Sequence, residues 1–141
     1  MIPSELSTLV EQQAGNVKRT NHEAAEKALC ELGIDLNSEF AQFYLTYKIT
    51  LFDSNVSYEQ LCDIAEPSRE IAVGTRFIHD VWRLPDYFIC FTSCEGEGGY
   101  LYNKNDGTVW DFSLANREKF IRGMESPTWP SFFDFMIWYL T

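Results

Sequence analysis

Four groupings of residue types in this chain could carry chemistry, and three of them crowd into one short stretch. Gly96-Glu97-Gly98-Gly99 has the glycine density of a phosphate-cradling loop, and Asn103-Lys104-Asn105-Asp106-Gly107 has the composition of a calcium loop. Cys90 and Cys94 lie four apart, and His79 precedes Asp80. Each grouping lacks what its chemistry requires. The glycine run has no following Lys-Ser or Lys-Thr, and its glutamates would repel phosphate. With Gly107 at the sixth position of a calcium loop, Tyr102, Lys104 and Ser113 would occupy the first, third and twelfth, and none supplies a carboxylate. No second cysteine or histidine pair stands at zinc spacing from Cys90 and Cys94. No cation neighbours them in sequence to lower a thiol pKa. His79 and Asp80 are adjacent, so on a helix they point in different directions. The sequence therefore predicts no catalytic residues, no metal and no cofactor.

The same stretch does suit binding. Glu95, Glu97, Tyr100, Tyr102, Asp106, Trp110 and Asp111 combine carboxylates with rigid aromatics, the residue types that anchor protein interfaces. These seven are the candidate partner-binding residues. The competing expectation is that the aromatics pack beneath a helix and only the acids meet water.

Three strands must position this cluster. Tyr87 to Ser93, Gly99 to Asn103 and Thr108 to Phe112 alternate in the manner of strands, and Asp106-Gly107 between the last two is a strong hairpin signal. Tyr100 and Tyr102 then share one face and Leu101 the other, while Val109 and Asp111 oppose Trp110. Helices surround this meander. Pro3 to Gln13 carries Leu6, Leu9 and Val10, and Asn21 caps a second helix bearing Ala25, Ala28, Leu29 and Leu32. Gly33 closes that helix, and Asn37 or Ser38 starts a third with Phe40, Phe43, Tyr44 and Tyr47. Lys48 to Phe52 has strand character, and Tyr58 to Ile64 fits a strand or a short helix equally well. Further helices are predicted over Ser68 to Trp82 and Ala115 to Met124, and a last one, after Pro130, packed across the sheet. The expected class is α+β, an antiparallel meander flanked by helices, with residues 1–141 as a single domain.

Charge narrows the partner. The chain has 21 acids against 11 bases, a net charge of −10, and the excess is spread along its length. Direct nucleic-acid binding needs Lys and Arg against phosphate, so it is not expected. A basic protein is the natural complement. The start, Met-Ile-Pro-Ser-Glu-Leu, lacks the basic and apolar regions of a signal peptide, and no apolar run is long enough to span a bilayer. A cytoplasmic location is expected, with Cys30, Cys62, Cys90 and Cys94 as reduced, mostly buried thiols.

Several motifs in order give the chain a resemblance. Leu29-x-x-Leu-Gly-Ile-Asp-Leu-x-x-Glu-Phe leads into the aromatic helix, and Leu84-Pro85 precedes a strand ending in Thr92-Ser93. Glu95 to Lys104, Gly107-Thr108-Val109-Trp110-Asp111 and Trp129-Pro130-Ser131-Phe132-x-x-Phe135 follow. In this order they resemble the SUKH superfamily, which contains the fungal Smi/Knr cell-wall regulators and many bacterial immunity proteins. The resemblance implies a non-enzymatic α+β domain. It also implies a protein that neutralises a polymorphic or contact-dependent toxin, frequently a nuclease, by binding it in the cytoplasm. Such nucleases tend to be basic, in keeping with the charge. The alternatives are a non-catalytic adaptor or scaffold in signalling or cell-wall control, and a small hydrolase using carboxylates or Cys94.

Overall fold

The computed structural model describes residues 1–93 and 96–141. Cys94 and Glu95, one a candidate nucleophile and the other a candidate binding residue, lie outside the described residues. Helix α1 (Ser4–Glu11) buries Leu6 and Val10, one turn apart. In α2 (His22–Glu31) the Asn21 side chain accepts a hydrogen bond from the Ala24 amide, as its N-cap position predicts. The helix ends at Gly33, with φ +70°. There the Gly33 amide donates to Cys30 O and the Ile34 amide to Leu29 O, a pairing that needs the left-handed residue glycine provides. Ser38 caps α3 (Glu39–Thr46), which buries Phe40, Ala41, Phe43 and Tyr44. Helix α4 spans Glu70–Asp80. Strands β1 (Phe88–Cys90), β2 (Gly98–Asn103) and β3 (Val109–Ser113) follow. A 3₁₀ turn (Leu114–Asn116), α5 (Arg117–Ile121) and α6 (Phe132–Leu140), capped by Ser131, complete the order.

The strands form an antiparallel sheet in the order β1-β2-β3, with Ile89 opposite Tyr102 and Leu101 opposite Trp110. This is the expected α+β arrangement of a sheet flanked by helices. Both sheet faces are covered. One meets the larger core, where Phe40, Phe91, Tyr102 and Phe132 pack ring on ring with α3 and α6. The other meets a smaller core of Ile78, Trp82, Leu84, Phe88, Leu101, Phe112 and Phe120, closed by α4 and α5. The sheet edges are also occupied, because Leu61 bridges to Thr92 beside β1 and Trp129 bridges to Val109 on β3. Covered edges leave little backbone for unwanted strand addition.

Three expectations are corrected. Lys48 to Phe52 is not a strand. Only Tyr47 makes an isolated bridge, to Lys18, and the Ile49 amide donates to the Asp63 carboxylate, so no ladder of backbone partners exists there. Tyr58 to Ile64 is neither strand nor helix beyond the single Leu61 bridge. The cysteines are not uniformly reduced thiols: Cys62 is free and buried and Cys30 free but exposed, whereas Cys90 is disulfide-bonded.

A buried ionic pin holds the irregular region that replaces the expected strand. The Arg19 guanidinium uses all five N–H groups: two on the Asp63 carboxylate, one on Glu66, and one each on Tyr44 O and Tyr47 O. Burial alone would lower the Arg19 pKa, but the hydrogen bonds and charges of Asp63 and Glu66 reverse that and raise it. Asp63 in turn accepts from the amides of Ile49, Ala65 and Glu66. One side chain thus fastens the end of α3 to residues 63–66.

Candidate functional site

Two glycines of the predicted binding stretch are fixed by close packing. A Cβ on Gly98 would collide with the Phe112 carbonyl oxygen, and one on Gly99 would press on Thr92 Oγ1 at 3.0 Å. They let β2 approach β3 and the Thr92 side chain closely. Gly107, at φ +79°, turns the β2–β3 hairpin, and its amide donates to Asn103 O. Within that turn Asp106 Oδ1 accepts from both the amide and the hydroxyl of Thr108. Asp106 is therefore occupied in shaping its own turn.

The aromatics nominated from sequence lie inward. Tyr102 is 2% exposed and stacks on Phe40 with ring centroids 4.6 Å apart. Tyr100 is 7% exposed, packs against Trp129, Phe135 and Trp138, and shares a 2.8 Å hydrogen bond with Ser57. Trp110 is half-buried, edge-on to Phe88 and Phe120, with Nε1 donating to Thr108 Oγ1. Tyr100 and Tyr102 thus present almost no ring surface to a partner, whereas Trp110 keeps part of its surface in solvent.

Of the acids, the structure unites two. Glu97 and Asp111 line a depression of about 460 Å³ together with Glu59 and Tyr58. Asp106 sits at the opposite end of the six-residue β2, roughly 17 Å of strand away. Among the described residues Glu59, Glu97 and Asp111 take part in no ion pair. Asp111 belongs to an exposed residue, yet its carboxyl borders the depression, and loss of water there raises its pKa above the usual carboxylate range. Glu59 is raised by the same loss of water and by the charge of Asp111. The Tyr100 hydroxyl is raised by burial, opposed by its Ser57 hydrogen bond, and raised further by those two carboxylates. Negative charge is thus concentrated here without a cation to balance it.

Sequence reading missed Glu59 and Tyr58. They lie in the loop after α3, which is held to the body by side-chain bonds. Gln13 pairs with the Asp53 backbone in both directions, Ser54 Oγ donates to Tyr139 O, and Tyr139 Oη donates to Glu59 O. Ser54 and Ser57 also accept from amides within the loop. On this fixed frame Tyr58 is fully exposed, Leu51 is 82% exposed and Val56 is 47% exposed. One sequence signal was available: residues 49–68 contain no Lys, Arg or His and four acids.

Among the described residues no group of three or more His, Cys, Asp or Glu is placed to hold a metal ion. No helix among them is long and apolar enough to cross a membrane. The Cys62 thiol is pushed up to about 12 by burial and by neighbouring Glu70, so it is protonated at neutral pH and a poor nucleophile. The chain matches no curated protein and no solved structure. Residues 20–138, from the cap of α2 through most of α6, match the model of the SMI1/KNR4 family, also called SUKH-1, and the chain belongs to that family.

Proposed function

We propose that this chain is an immunity-type protein that binds and neutralises a cognate toxin of polymorphic or contact-dependent type in the cytoplasm. The toxin is expected to be basic and nuclease-like. Family membership is consistent with this reading, since SUKH proteins are generally non-catalytic immunity or regulatory proteins. The observation that carries the charge preference is the depression lined by Glu59, Glu97 and Asp111, none of which takes part in an ion pair among the described residues. A nuclease cleft lined by Lys and Arg for phosphate would meet these carboxylates as it meets its substrate, and opposite fields would speed the encounter. Stoichiometric occupation of the cleft then suffices, with no chemistry by the immunity protein. The surface reading shifts from the sequence expectation in one respect. Glu97 and Asp111 remain in it, Glu59 and Tyr58 join it, and Tyr100 and Tyr102 act as the packing beneath it.

The test is co-expression with any basic protein found to be encoded beside this chain's gene. Wild type is expected to restore growth and to co-purify at equal stoichiometry. A Glu97→Lys/Asp111→Lys variant is expected to bind at least about tenfold more weakly, with a smaller dependence on salt. Unchanged affinity in that variant would discard the depression. A neighbouring protein that neither binds nor is neutralised would favour the adaptor reading.

A further inference from the structure

The loop that contributes Val56 to Glu59 to the depression contributes Leu51 and Gln60 to a larger cleft. This cleft encloses about 760 Å³ between the extended Ile49–Leu51 segment, residues 60–67 and the start of α4. Its apolar lining includes Ile49, Leu51, Leu61, Cys62 and Pro67. Cys62 and Glu70 also border a shallower depression that runs on to Val73 and Phe77, which are 71% and 38% exposed. The apolar strip is thus longer than one side chain would fill.

Every ionisable side chain in the cleft besides the Cys62 thiol is a carboxylate: Asp63, Glu66 and Glu70. Asp63 and Glu66 share the single charge of Arg19, and Glu70, exposed at the first turn of α4, has no ion pair among the described residues. An anionic amphiphile such as a fatty acid would be repelled. A cationic amphipathic segment would find apolar contact below and the Glu66 and Glu70 carboxylates at the rim, Asp63 being buried beneath. The walls are already in place. Arg19 clamps Asp63 and Glu66, Ile49 N donates to Asp63, Thr50 Oγ1 donates to Ala14 O, and Cys62 N donates to Phe91 O. A preformed cleft spares a ligand the ordering entropy that a loose loop would demand.

We propose that this cleft is a docking groove for a segment of a protein partner in which an apolar side chain is flanked by Lys or Arg. The groove does not rest on the toxin reading: it would serve an adaptor equally.

The probe is a displayed library of short random peptides panned on the full chain. Enriched peptides are expected to share an aliphatic or aromatic position beside Lys or Arg. Their amide-shift perturbations are expected to fall on residues 49–51, 60–63 and 70. Leu51→Arg and Glu70→Lys change only exposed side chains, and each is expected to weaken these peptides about tenfold. Glu97→Lys/Asp111→Lys is expected to change them by less than about twofold, which separates the groove from the depression. No consensus, an acidic consensus, perturbations elsewhere, or indifference to both groove variants would overturn the proposal. So would a dimer in sedimentation that Leu51→Arg dissociates, since a second copy would then be the occupant. Peptide binding at the groove alongside failure of any basic protein to bind would leave the groove standing and remove the toxin reading.

Discussion

The β1–β3 meander and the loop between α3 and α4 stand in opposite relations to the surface. In the meander, Tyr100, Leu101, Tyr102, Val109 and Phe112 are buried on one face or the other, although the segment has the composition of a binding patch. In the loop, Leu51, Val56 and Tyr58 are exposed, although nothing periodic marks the segment. Alternation is what a chain needs in order to bury side chains on a sheet, so regular aromatics report packing. An aperiodic loop has no single face to bury, so it splits its apolar side chains: Ile49, Phe52, Leu61 and Ile64 turn into the core, whereas Leu51, Val56 and Tyr58 do not. The latter three are the ones left for a partner, provided something else holds the backbone still.

The contrast can be broken most forcefully from the core side. Phe132→Ala, which removes a fully buried ring touching Phe40, Phe43, Tyr44, Phe91 and Tyr102, is expected to cost about 3–5 kcal/mol in urea unfolding. Arg19→Ala is expected to cost a comparable 3–5 kcal/mol or slightly less, because Asp63 would remain buried without its partner. If that loss is absent, the ionic pin does not hold the loop, and the rigidity assigned to it fails. Ser54→Ala removes the loop's bond to Tyr139 O and is expected to cost about 1 kcal/mol. Faster amide exchange confined to residues 53–59 would accompany it.

Tyr58→Ala is expected to shift stability by no more than about 0.5 kcal/mol while weakening any partner that covers the loop. The smallest effect is electrostatic. The folded state binds the Asp111 and Glu59 protons more tightly than the unfolded chain does, since both pKa values are raised. Their ionisation therefore destabilises the fold above those raised values. The penalty fades as pH falls through them and is gone below the ordinary carboxylate range. Asp111→Asn is expected to be more stable than wild type by a few tenths of a kcal/mol at neutral pH. That advantage is expected to vanish in acid. A thermal-melt series across pH reads the difference.

Much of the fold was legible because its signals are local. Asn21 and Ser38 sit where a cap must, and Gly33 and Gly107, at the end of α2 and in the hairpin, have positive φ. The almost continuous apolar run of α6 and the Asp106-Gly107 hairpin needed no knowledge of the remainder. The failures share a cause. Ile49 looks like a strand residue, but its amide is claimed by a carboxylate 14 residues away, a pairing no window of sequence contains. Tyr100 and Tyr102 looked like anchors because the rings that cover them come from α3, α6 and Trp129, far along the chain. The depression was half found: Glu97 and Asp111 follow from the hairpin, whereas Glu59 arrives through the Ser57 and Tyr139 bonds of a segment without pattern.

Arg19 lies one residue ahead of the stretch that defines the family, and so does all of α1, whose Leu6 and Val10 have no exposed surface. A version trimmed to residues 20–138 would keep every shared motif and still lose the side chain that neutralises Asp63. It would also bare the flank of α6 where the first helix lies. This chain cut at that border for expression would be handicapped before any ligand was offered, and a negative binding result from such a fragment would speak to the cut rather than to the surface.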